Sequence, residues 1–263
     1  MNCIHLVLYA RGEPYETTQR MISETVHANT KYKVIVHNYS LARIATCQWY
    51  YDTDLCNLPF NKNIEQLNGR DGFYNLWKGF ITYDVYNTMG DNDLLYYVDS
   101  SQHFRTGFTD SIDKLCEFAF TNGAVAGSAG YDTDNIVQEG CDKVKVWREI
   151  LKDPFDEAIL RKVSILNSWF LFAKNDKNTC FLKDWVYYSM LRNERFEYPL
   201  GTYHHTIDQS IFNILVHKYN FLFFYEETIK HNENKDRNLV LKILNSHDSI
   251  TKYFRRFNSY TDV

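Results

Sequence analysis

Asp99 follows directly on Leu94-Leu-Tyr-Tyr-Val98, a run apolar enough to be buried on both faces of a sheet. In open α/β sheets ligands bind in the crevice outside the carboxyl ends of the strands, so a carboxylate at that point is placed for chemistry. It can hold a divalent cation, and a cation there can neutralise a diphosphate. The plainer role is to cap the turn Ser100-Ser101-Gln102, and the residues alone leave both open. Upstream, Trp77-Lys78 falls on the first turns of a segment with helical spacing, where a lysine can aim its ammonium at a diphosphate while the tryptophan packs. Asp208 opens another helical segment. Its ordinary role there is an N-cap worth about 1 kcal/mol, but a carboxylate can also deprotonate a hydroxyl as general base.

These residues need a scaffold, and the apolar pattern supplies one. Residues 4–9 read as a strand, 15–29 as a helix and 32–39 as a second strand, a βαβ unit whose strands lie parallel in one sheet. A helix is expected over 41–51, then a turn-rich surface excursion over 52–72 carrying Asn57, Pro59, Asn61, Asn63, Asn68 and Gly69. A helix over 73–89 ends at Gly90-Asp91-Asn92-Asp93 before the strand 94–98. Asp91-x-Asp93 lies at the wrong end of that strand for a ligand and reads as a turn. Further helices are expected over 111–120, 146–151, 156–162, 179–193 and 208–219, with strands over 124–129 and 164–173. The chain from 230 onward reads as a short helix and a basic end, Lys252-Tyr-Phe-Arg-Arg256.

Composition excludes several classes. The chain has 263 residues, 44% apolar and 24% charged, with a net charge of -4, which describes a folded protein and neither a disordered tail nor a basic nucleic-acid coat. Aromatics reach 16% while Gly and Pro number only 11 and 4, so collagen-like and Gly-rich repeat folds are out. The six cysteines form no C-x-x-C pair, which points to a reducing, cytoplasmic setting without a zinc site or disulfide framework. No signal peptide or transmembrane segment is expected, since the first apolar run stops at Ala10. The short basic end leaves room for peripheral contact with a membrane, and nucleic-acid binding is not expected.

Beyond this, Gly72-Phe-Tyr-Asn-Leu-Trp-Lys-Gly, a helix, and then Gly-Asp-Asn-Asp-Leu-Leu-Tyr-Tyr-Val-Asp-Ser-Ser101 resemble nucleotide-sugar glycosyltransferases of the GT-A fold. Many of these carry a Tyr-x-x-Trp-Lys-Pro helix start and a strand ending in an aspartate motif. The likeness continues at Tyr203-His-His-Thr-Ile-Asp-Gln-Ser-Ile, similar to the family's His-x-x-Asp-Gln-Ser helix start. In size and in its aromatic, Asn-rich texture the chain is also similar to small glycosyltransferases of large algal DNA viruses.

The resemblance implies a GT-A-like α/β fold: one domain over 1–263, with a Rossmann-like nucleotide-sugar half over about 1–103, an acceptor half over about 104–263, and a mixed central sheet flanked by helices. It places the donor against Tyr9, Ala10, Arg11, Lys78, Asp99, Ser100 and Ser101. The implied cofactor is a divalent cation, Mn²⁺ or Mg²⁺, on Asp99, Ser101 and His205. Ser101 stands where the familiar Asp-x-Asp has its second carboxylate, which weakens the donor set. Asp208, with Asp132 and Asp134 as rivals, would be the general base of an inverting transfer, and Trp147 and Gln209 would touch the acceptor. The expected activity is hexosyl or pentosyl transfer from a nucleotide sugar to a hydroxyl of a glycan or glycoprotein. A UDP-sugar is preferred, without distinction among UDP-xylose, UDP-glucose and UDP-galactose. Two alternatives stand: an inactive, transferase-like carbohydrate-binding protein, and a metal-dependent nucleotidyl- or phosphotransferase. Against the latter, Arg11-Gly12-Glu13-Pro14 is no phosphate loop.

Overall fold

The computed structural model describes residues 2–52, 77–100, 102–104, 111–127, 169–190, 211–212, 215–216, 218–219, 221, 223–224 and 254–256. Strand β1, Cys3–Tyr9, is buried along all but its first residue. Its alternation sends Ile4, Leu6 and Leu8 into one hydrophobic layer and Val7 and Tyr9 into the other. Helix α1, Tyr15–Ala28, adds Ile22 and Val26 to the Leu6 layer and returns the chain to β2, Lys33–Tyr39, which pairs parallel to β1. The expected βαβ unit is therefore present.

After β2 the chain departs from expectation. Instead of one helix over 41–51 there are two, α2, Leu41–Ile44, and α3, Gln48–Asp52. Ser40 caps α2 by accepting from Arg43 N, and the backbone then tightens, with Thr46 N donating to Arg43 O and Cys47 N to Ile44 O. The Thr46 hydroxyl also donates to Arg43 O. These three-residue closures use the carbonyls that would have carried the helix onward.

Helix α4, Trp77–Thr88, covers the Val7 and Tyr9 face and leads into β3, Leu94–Val98, parallel to β1 on the side away from β2. Strand β4, Gln102–Phe104, follows, then α5, Ser111–Asn122, on the Leu6 layer, and β5, Ala124–Gly127. Strand β6, Trp169–Ala173, runs antiparallel between β3 and β5. Helix α6, Asp176–Met190, packs on α4. It starts three residues before the expected position because Asn175 Oδ1 accepts from Asn178 N at 2.8 Å and caps it. Strand β7, Phe223–Phe224, pairs parallel to β5, giving a six-stranded mixed sheet in the order β2-β1-β3-β6-β5-β7. The expected α/β class, a mixed sheet flanked by helices, is what the chain forms. Strand β8, Phe254–Arg256, pairs with β4, so part of the basic end is a strand. The expected excursion from 53 onward and the helices over 146–151 and 156–162 lie outside the described residues. No described helix is long and apolar enough to cross a membrane.

The layer beneath α4 and α6 is an aromatic mass: Phe170, Phe172, Phe181, Trp185 and Phe212. Gly79 lets the two helices close, since a Cβ there would meet the Trp185 ring at 3.3 Å.

At the amino end of the sheet Asp93 forms the expected turn. Its Oδ1 accepts from Cys3 N at 2.9 Å and its Oδ2 from Gly90 N at 2.9 Å. His5 Nε2 lies 3.3 Å from the same Oδ2, and His5 Nδ1 lies 3.1 Å from His37 Nε2. Burial, then the neighbouring His5 and Arg43, push the His37 pKa down to about 4 from 6.5. The folded state thus disfavours charged His37, and the unfolded chain binds more protons between those values. Stability is full above about pH 6.5 and falls as pH drops toward 4. For Asp93, burial pushes upward, but the N–H donors of Cys3 and Gly90, with His5, outweigh it and hold the carboxyl below its usual value. His37→Gln should remove on the order of 1 kcal/mol of this acid sensitivity after allowance for solvent screening, or ~3 °C in Tm. Melts at neutral and mildly acidic pH check it; equal acid losses in variant and wild type would contradict it.

Candidate functional site

The chain goes from β1 outward to β2, then crosses back to place β3 on β1's other flank. That reversal makes the carboxyl ends of β1 and β3 a topological switch point, where neighbouring connections leave in opposite directions and open a crevice. Tyr9, Ala10 and Arg11 close one side of it, Asp99 and Ser100 the other. A helix that leads into a parallel strand runs opposite to it, so the Trp77 end of α4 reaches this same edge. Lys78 and Asp99 are brought together there by topology.

Strand alternation puts Tyr97 and Asp99 on the face that α4 covers. Lys78 Nζ lies 2.9 Å from Asp99 Oδ1, with the lysine side chain 4% exposed and the aspartate 16%. Tyr97 Oη donates to the same oxygen at 2.6 Å, and the ammonium stands 5.7 Å from the Tyr97 ring centre. Asp99 Oδ1 therefore carries one hydrogen bond and one ion-pair contact, while no described donor reaches Oδ2. The ring of Tyr97 is itself stacked on Phe170, 5.0 Å between centres, which ties the carboxylate's position to the aromatic core.

The flanking residues fasten this arrangement. Tyr9 packs against Trp77 with 3.9 Å between ring centres, fixing the first described turn of α4 over the end of β1. The Ser100 hydroxyl is engaged by Tyr9 O, which binds the end of β3 to that of β1. Ala10 N donates to Tyr39 O at 3.0 Å, extending the ladder to β2, and Arg11 is half-buried at the lip. Beside them Tyr39 Oη donates to Asp84 Oδ2 at 2.9 Å, and Arg43 stands over the Tyr39 ring at 4.2 Å. Burial and the Asp84 carboxylate push the Tyr39 phenol pKa upward.

Of the sequence candidates, the structure thus gathers Tyr9, Ala10, Arg11, Lys78, Asp99 and Ser100 at one end of the sheet. Ser101, Asp132, Asp134, Trp147, His205, Asp208 and Gln209 lie outside the described residues. Tyr97 was missed, although a signal was present: two residues before Asp99 on a strand is the same face. Among the described residues no group of three His, Cys, Asp or Glu side chains is placed to hold a metal. The donor chemistry of Asp99 nevertheless fits a hard cation, because Oδ2 is a carboxylate oxygen of the kind Mg²⁺ and Mn²⁺ take.

The chain matches no protein-family model and no curated protein. It is similar to solved structures of glycosyltransferases. One is mouse xyloside xylosyltransferase 1 in its apo form, at 11% identity and TM-score 0.47, covering 99% of each chain. Another is a glycosyltransferase involved in glycosylation of the major capsid of PBCV-1, at 11% identity and TM-score 0.44, covering 98% of this chain and 94% of that one. A third is an active-site mutant of LgtC, at 13% identity and TM-score 0.48, covering 97% and 87%. At such low identity the chemistry of the site rests on its own residues.

Proposed function

We propose that the chain is a GT-A-like glycosyltransferase that moves a hexosyl or pentosyl group from a nucleotide sugar, by preference a UDP-sugar, to a glycan hydroxyl. The observation that carries this reading is the buried Lys78–Asp99 pair at the switch point of the sheet. The donor half would be about 1–103 and the acceptor half about 104–263. Tyr9, Ala10 and Arg11 would line the nucleoside end, with Ser100 holding the β1 and β3 termini in register beneath it.

In the reaction, Lys78 offsets charge growing on the departing diphosphate, in a site where its side chain is largely shielded from water. Asp99 orients the donor, and the Tyr97 hydroxyl holds that carboxylate still. A divalent cation, Mn²⁺ or Mg²⁺, held by Asp99 with Ser101 and His205, would add further positive charge. Asp208, or else Asp132 or Asp134, would take the acceptor proton for in-line attack with inversion, and Trp147 and Gln209 would position the acceptor. Cys47, Cys116 and Cys180 form no disulfide among the described residues, which accords with the reducing setting proposed for the chain.

Tyr97→Phe tests the clamp. It removes one charge-assisted bond and leaves Lys78 in place, so kcat/KM should fall about tenfold, mostly in kcat, with little change in Tm. An unchanged kcat would remove Tyr97 from the account.

The reading as a whole is tested by incubating the full chain with UDP-, GDP-, dTDP- and CMP-sugars, following nucleotide release and Tm together. One UDP-sugar should raise Tm and be slowly hydrolysed, because a ligand of the native state stabilises it. No response to any nucleotide sugar would leave the carbohydrate-binding alternative in its place.

A further inference from the structure

We infer that Lys78 is a tethered cation that keeps a divalent ion off Asp99 until a nucleoside diphosphate arrives, so that metal and donor enter the site together. The inference rests on the proposed function, which it deepens by assigning an order of binding. Asp99 Oδ1 is already engaged twice, by the Lys78 ammonium as an ion pair at 2.9 Å and by the Tyr97 hydroxyl as a hydrogen bond at 2.6 Å. The carboxylate's single charge is thereby balanced by a cation of the chain itself. With its side chain 4% exposed, Lys78 has little water to turn to, and its charge is poorly screened.

A divalent cation approaching Oδ2 alone would therefore meet a carboxylate whose charge the Lys78 ammonium already offsets. Ser101 adds no compensating charge where a second carboxylate would have stood. A diphosphate changes this balance. It brings negative charge enough for both cations, and its oxygens offer Lys78 charge-assisted hydrogen bonds in exchange for Asp99 Oδ1. Released from the ammonium, Asp99 recovers a full charge for the metal. Cation and diphosphate must then each raise the other's affinity by the same factor, since the coupling is reciprocal.

The test is Mn²⁺ binding by the full chain, read by electron paramagnetic resonance and water-proton relaxation, with and without UDP. UDP binding is measured separately by calorimetry in EDTA. Wild type should bind Mn²⁺ alone only weakly, and UDP should tighten Mn²⁺ about a hundredfold beyond its binding to UDP in solution. Lys78→Met should bind Mn²⁺ alone at least about tenfold more tightly than wild type, and Lys78→Arg should remain blocked. Asp99→Asn should lose the site in every arm. Lys78→Gln serves in place of Lys78→Met if that variant fails to fold, and the wild-type comparison with and without UDP needs no variant at all. Equal Mn²⁺ affinity in wild type and Lys78→Met, or no effect of UDP on Mn²⁺ where UDP itself binds, overturns the inference. Failure of UDP to bind under any condition instead overturns the proposed function, while the nucleotide-free Mn²⁺ arms still decide whether Lys78 blocks Asp99.

Discussion

Asp99→Asn should lower kcat/KM for the preferred nucleotide sugar by at least about a thousandfold, the scale on which single charged groups aimed at the reacting centre act. The substitution keeps the shape of the side chain and one oxygen for Tyr97 and Lys78, but removes the charge that both donors now hold. It also has a structural cost. Removing one partner of a buried ion pair strands the other, typically at ~3–5 kcal/mol. Here Asp99 is 16% exposed and asparagine still accepts a bond, so a loss of about 2 kcal/mol is expected, or ~6 °C in Tm. The double variant Asp99→Asn/Lys78→Met separates the two effects. With the stranded ammonium gone, stability should return toward wild type, whereas turnover should stay lost. Recovery of turnover with stability, or full activity in Asp99→Asn, would mean that the pair is only structural.

The largest effect on stability is expected at Phe170. Its ring is fully buried and meets Tyr97, Phe172, Phe212 and Trp185, with centres 5.0, 4.9, 5.0 and 5.7 Å away. Truncation leaves a cavity that rings on strands and helices cannot close, so Phe170→Ala should cost ~3–5 kcal/mol, measured by urea unfolding. Phe170→Leu retains most of the volume and should cost less than about 1.5 kcal/mol. Because Tyr97 stacks on Phe170 and holds Asp99, Phe170→Ala should also lower kcat at temperatures where it stays folded. Loss of stability with kcat intact would show that the aromatic layer does not position the carboxylate.

What could be read from the residues beforehand was set by local pattern. β1, β2 and β3 announce themselves as apolar, β-branched or aromatic runs, and Asp99 is legible because it ends one of them. The mixed character of the sheet was expected, but the antiparallel place of β6 between β3 and β5 has no local signal, since strand order is a matter of distant pairing. The same holds for β8, three residues including two arginines, whose strand state depends on β4 far back in the chain. The single helix expected over 41–51 gave way to two because side-chain and backbone closures around Arg43 and Thr46 are invisible to apolar spacing.

Within the site, Lys78 and Asp99 were each legible as a residue type in position, and their contact was not. It follows from helix α4 running against β3, which brings the first described turn of one over the residue that follows the other. The pairing changes the chemistry expected of both. By residue type Asp99 is a carboxylate open to a cation and Lys78 an ammonium open to phosphate, whereas in the structure they hold each other.

The central claim is that this end of the sheet receives a nucleoside diphosphate, and calorimetric titration of UDP, with Mn²⁺ present, into wild type and Asp99→Asn tests it most directly. One site of micromolar affinity in wild type, weakened at least about tenfold in the variant, is the predicted result. No binding of UDP, or the same affinity in both proteins, would contradict it.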